Sequence, residues 1–73
     1  MEFRILETIY KGKVFKIEED YPEVGAYLYI LEGDKCVNDY LQNDIETCME
    51  LALEDFGVPL CSWKEKGSNN EEE

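Results

Sequence analysis

Thiols and carboxylates are the side chains here that could carry chemistry. Cys36, Cys48 and Cys61 are too widely spaced for a Cys-x-x-Cys pair, and the chain has no histidine. Zinc sites take about four Cys or His ligands at short spacing, so scattered thiols without imidazole make a poor donor set. A catalytic thiol needs a base to generate its thiolate, and the usual one is missing. Free cysteine on an apolar stripe behaves as a small hydrophobe, which is the reading for Cys48. Asp55-Phe56-Gly57 repeats the metal-binding tripeptide of protein kinases, but a chain of 73 residues has no room for the other kinase elements. Calcium loops of the Asp-x-Asp-x-Asp-Gly type do not occur either. The 18 Asp and Glu offer many acid–base pairs, yet no spacing singles one out. The expectation is a protein that is not an enzyme, with no catalytic residue, metal or cofactor.

Those carboxylates oppose only seven Lys and Arg, for a formal net charge of −11. Such a field favours solubility and opposes phosphate backbones and anionic membranes. No cluster of Lys and Arg with interleaved aromatics overrides it locally. No apolar run approaches the roughly 20 residues of a membrane span. Nucleic-acid and membrane partners are therefore not expected, whereas a protein with a basic surface suits the field. An odd number of thiols and a start without a signal-peptide core read as a reduced, cytoplasmic setting.

One stretch is wholly acidic. From Lys35 to Lys64 no basic residue intervenes, while Asp39, Asp44, Glu46, Glu50, Glu54 and Asp55 all do. On a helix, Glu46, Glu50 and Glu54 stand at i, i+4 and i+8 as one unneutralised ridge. Each like-charge pair there costs about 0.2–0.5 kcal/mol. The ridge is either a solvated face that aids solubility or a docking surface for a basic protein.

The elements that must position these groups follow from periodicity. Alternation from Glu2 to Tyr10 predicts a strand, Lys11-Gly12-Lys13 a turn, and Val14 to Glu18 a second strand. A three-residue loop gathers Ile5, Ile9, Phe15 and Ile17 on one face. A two-residue loop mixes polar and apolar residues, so the longer loop is expected. Polar Glu19 to Glu23, with Pro22, reads as a connection. Val24 to Leu31 is apolar on both faces, as a central strand should be, and Gly33-Asp34 predicts a hairpin pairing Ile30 with Val37 and Leu31 with Cys36.

Ile45, Cys48, Met49, Ala52, Leu53 and Phe56 recur at helical spacing and predict one amphipathic helix. Asn43 with Glu46 fits a capping box, Asp44 suits the helix dipole, and Gly57 followed by Pro59 ends the helix, with Val58 placed to pack back. Leu60 to Trp63 adds a short strand or drapes Trp63 over a face. The expected fold is a two-layer α+β domain over residues 1–63. It is an antiparallel meander of three to four strands followed by one helix on one sheet face. An acidic tail from 64 to 73 is expected to be disordered.

If Leu28 and Ile30 face the helix, Tyr27, Tyr29 and Leu31 face away, joined under the preferred register by Leu6, Tyr10 and Val14. Contiguous exposed aromatics mark an interaction or homodimer surface, unless Trp63 covers them or they merely stack across strands.

The succession of a strand hairpin, a polar Asn43-Asp44-Ile45-Glu46-Thr47 start and an amphipathic helix resembles small antitoxin domains of the HicB type. The likeness spans Val14 to Phe56. The chain departs from that family in lacking its Pro-Gly-Cys turn and any DNA-binding appendage. What the resemblance implies is an inhibitor or antitoxin-like role. The leading expectation is thus a cytoplasmic interaction module of inhibitor, immunity or antitoxin type that binds a basic protein. The alternatives are a small-ligand subunit with a cleft near Tyr40 and Trp63, and an oligomeric enzyme with its site between chains.

Overall fold

The computed structural model describes residues 3–68. Its elements are β1 (Arg4–Tyr10), β2 (Lys13–Glu19), β3 (Ala26–Glu32), β4 (Lys35–Gln42), α1 (Ile45–Phe56), a 3-10 turn over Leu60–Ser62 and β5 (Lys64–Ser68). The strands form one antiparallel sheet in the order β4-β3-β2-β1-β5. The first four make a meander. Helix α1 then crosses one face, packing on β2, β3 and β4, and returns the chain to the far edge, where β5 pairs with β1. The architecture is α+β as expected, with five strands rather than three to four.

The fifth strand lies where a disordered tail was expected. Polar Lys64-Glu65-Lys66 carries no strand periodicity, but it needs little apolar surface because it only completes the edge of β1. Arg4 fixes it through a forked contact, its Nε 3.0 Å and Nη2 3.1 Å from the Glu65 carboxylate. The rest of the expected tail, 69–73, lies outside the described residues.

Register is the main correction. The first hairpin closes over two residues, Lys11 and Gly12, with φ of 53° and 82°. Positive φ at both positions is the type I′ pattern, whose twist matches that of the flanking strands. Tyr10 then pairs with Lys13, Thr8 with Phe15 and Leu6 with Ile17. The one-residue difference in loop length swaps the faces of β1. Leu6 and Thr8 are buried, while Ile9 is 72% exposed. Burying Thr8 is tolerable because its hydroxyl donates to Ser62 Oγ (3.1 Å), which in turn donates to the Pro59 carbonyl (2.8 Å). Tyr10 also gains a partner, its ring lying against Gly57 at the end of α1.

In the second hairpin Leu31 does pair with Cys36, but a bulge follows and Ile30 pairs with Asn38 instead of Val37. Gly25, at φ 114°, has the most constrained backbone: any β-carbon there would collide with the Gln42 carbonyl oxygen.

The core lies between helix and sheet. Leu6, Phe15, Ile17, Ala26, Leu28 and Ile30 meet Ile45, Cys48, Ala52 and Val58, with Tyr10, Tyr40, Met49, Leu51, Phe56 and Trp63 packed at its margin. Phe15 and Phe56 hold the two layers together with ring centroids 5.6 Å apart. Leu53, assigned to the buried stripe by spacing, is 40% exposed, and Leu51 packs on the core instead.

Candidate functional site

Helix α1 presents the acidic ridge. Its N-cap is Asp44 rather than Asn43: the Asp44 carboxylate accepts from the Thr47 backbone N–H (2.8 Å) and hydroxyl (2.7 Å). Those bonds, the hydroxyl's foremost, hold the carboxyl below its usual range and keep the charge at the positive end of the helix. Gly57 at φ 83° closes the other end, donating to Leu53 O (2.9 Å) while Val58 N–H reaches Ala52 O (3.2 Å). With Ile45, Cys48 and Ala52 pinned inward, Glu46, Glu50 and Glu54 stand exposed along the outer side. No Lys or Arg lies on α1 or the 3-10 turn, and none of the ion pairs among the described residues involves a ridge carboxylate.

Apolar groups border the ridge. Leu60 is 49% exposed, and with Met49, Glu46 and Glu50 it lines a depression of about 280 Å³. Carboxylates around an apolar floor suit a side chain with an aliphatic stem and a cationic head, that is, Lys or Arg.

The opposite side of the sheet has no covering layer among the described residues. The 3-10 turn and Trp63 lie on the helix side, where Thr8 meets Ser62 and Trp63 borders the core. Tyr27, Tyr29 and Leu31 face away from the helix, as their alternation with buried Ala26, Leu28 and Ile30 requires. The Tyr27 and Tyr29 rings stack at 5.9 Å and 15°. Burial first, then the charge of Glu18, raises the Tyr29 phenol above its ordinary value.

Cross-strand pairing extends the patch into three rows. Ile9, Val14, Leu31 and Cys36 form one, Ile5, Glu18, Tyr27 and Leu41 another, and Glu7, Lys16, Tyr29 and Asp39 run between them. Of the residues expected beside the tyrosines, Val14 is there. Leu6 and Tyr10 are not, because the register turns them to the helix side, and Ile5 and Ile9 take their place. The signal that would have found them is Lys11-Gly12 read as a two-residue turn.

Charges on this face are balanced. Lys16 lies 3.3 Å from Glu18 and Lys66 lies 3.7 Å from Glu7. Lys64, opposite Glu7 in the ladder, and Asp39, opposite Tyr29, bring the tally to three cations and three carboxylates.

Two other candidates do not come together. Tyr40 sits on β4 and Trp63 directly before β5, at opposite edges of the sheet, so they frame no common cleft. The Trp63 indole N–H is buried without an acceptor among the described residues. The cysteines are also apart: Cys36 and Cys61 are exposed and Cys48 is buried. Cys48 donates weakly to Ala26 O (3.5 Å), and burial, aided by the Asp44 charge, pushes its thiol up to about 11. A thiol held protonated is a packing group and a poor nucleophile. Among the described residues no cluster of three or more His, Cys, Asp or Glu is placed to hold a metal ion. No helix in this part of the chain is long and apolar enough to cross a membrane. Comparison with protein-family models, with curated proteins and with solved structures found no match, so the likeness to antitoxin domains rests on element order alone.

Proposed function

We propose that this protein is a non-catalytic, inhibitor-like interaction module that captures a basic protein through the outer side of α1. The observation that carries this reading is the exposed ridge of Glu46, Glu50 and Glu54 in a layer without a single Lys or Arg. A helix gains stability from i, i+4 pairs of opposite charge, and this one forgoes them at every ridge position. The field of a chain carrying −11 steers a cationic partner toward the molecule, and the apolar floor at Met49 and Leu60 gives it a surface to desolvate.

The test compares partner capture by the intact chain and by the triple variant Glu46→Lys, Glu50→Lys, Glu54→Lys at matched helix content. The expected result is loss of basic partners from the variant, and weaker capture by the native chain as salt rises. An unchanged partner set would sink the proposal.

A further inference from the structure

We infer that the open face of the sheet is a self-association surface, and that its occupant is the same face of a second copy of this chain. The argument begins with charge. Two copies carrying −11 each repel one another almost wherever they meet. Over the outer side of α1 the repulsion is strongest, because the helix and the 3-10 turn after it hold carboxylates and no cation. The open sheet face is the exception: its lysines Lys16, Lys64 and Lys66 balance Glu7, Glu18 and Asp39, and two of the three already lie beside a carboxylate. A strongly basic partner gains little there, since the anions are neutralised from within. A strongly acidic one is repelled by the rest of the molecule. The face suits a near-neutral, apolar and flat partner, which is what a second copy of it provides.

Apolar content points the same way. Ile9 at 72% and Leu41 at 52% exposure are far more open than large aliphatic side chains usually are, and they flank Tyr27, Tyr29, Val14 and Leu31 on one continuous surface. Tyrosines and aliphatics surrounding a few charges is the composition of protein interfaces. Five strands of about seven residues span roughly 24 by 23 Å. A face of that size supplies on the order of 600 Å² per copy, the lower end of what a specific dimer needs. Two such sheets pack about 10 Å apart with their strands inclined by about 30°. The dimer would then be a four-layered sandwich with helices outermost and both acidic ridges turned to solvent.

Sedimentation of the reduced, intact chain over a concentration series at low and high salt tests this, together with Ile9→Lys and Glu50→Lys. Both residues are exposed, so neither change should unfold the chain, and thermal melting checks that. The expected result is a dimer that tightens with salt as long-range repulsion is screened, the reverse of the salt response of a charge-steered basic partner. Ile9→Lys should weaken the dimer by about tenfold or more, and Glu50→Lys should leave it intact or slightly tighter. A native chain still monomeric at about 1 mM overturns the inference, as does a dimer indifferent to Ile9→Lys. Neither result touches the proposed role of the helix ridge, which is read from partner capture.

Discussion

The two sides of this molecule reach solvent with opposite chemistry. The outer side of the helix is charged in one sign, its ridge carboxylates unpaired among the described residues, with a small apolar floor beside them. The sheet side is apolar and aromatic, with its few charges balanced in sign. Both are made by the same elements. Strands β1, β2 and β3 and the helix give one side to the shared core and leave the other free, and among the described residues no third layer covers the sheet. Net charge alone would have described one acidic object, whereas the structure describes a polarised one. A charged face governs capture over distance and fades with salt; a neutral apolar face governs close contact and does not.

The sharpest way to break the comparison is to exchange buried for exposed leucine. Leu28 is fully buried under the helix and Leu41 is half open on the sheet side. Leu28→Ala should lower unfolding stability by about 2–5 kcal/mol. Leu41→Ala should change it by less than about 0.5 kcal/mol. Denaturant titration of both variants, at a dilution where the chain is monomeric, reads the difference, and equal losses there would mean that the chain itself covers the sheet side.

Next in size is the alkaline limb of stability, which reports the core between the two sides. The Cys48 thiol is pushed from 9.0 in the unfolded chain up to about 11 in the fold. Between those values the unfolded chain has released its proton and the folded chain has kept it. Stability from this group is therefore complete below 9.0 and declines as pH rises toward 11, by about 1.4 kcal/mol per unit. Cys48→Ala should remove that slope from denaturant melts, while Cys36→Ala should leave it. Alkylation gives a second reading: Cys36 and Cys61 should react in the native state and Cys48 only on unfolding.

The smallest effect concerns the cap that presents the ridge. Asp44 is held below its ordinary 3.8 by Thr47, so its contribution is complete above 3.8 and is lost as pH falls through the lower, folded value. Asp44→Asn should retain most of the cap and flatten this acid dependence, whereas Asp44→Ala should lose the cap at neutral pH, a difference that thermal melts at neutral and acid pH resolve.

Much of this was legible in the residues. The stripe from Ile45 to Phe56 and the stop at Gly57 specify a helix of the right length, because helical spacing and an αL glycine are local signals. Alternation through Tyr27, Leu28, Tyr29 and Ile30 sorts the two faces of β3 correctly, because side-chain direction in a strand depends on parity alone. The ridge of Glu46, Glu50 and Glu54 needs nothing beyond that helix. Three other features were decided only by tertiary structure. The register of β1 turned on whether Lys11 would accept positive φ, which its neighbours do not announce. It was settled by distant contacts, Thr8 with Ser62 and Tyr10 with Gly57. Strand β5 has no apolar pattern of its own, because an edge strand borrows its hydrogen bonds from β1 and its place from the helix that delivers it. The Cys48 thiol is chemically quiet because the layers close over it. Sequence by itself determined which residues share a face within β3 and along most of α1. Which elements lie beside one another, and hence which side of the sheet stays open, depended on contacts between residues far apart in the chain, whose free energy exists only once the fold has brought them together.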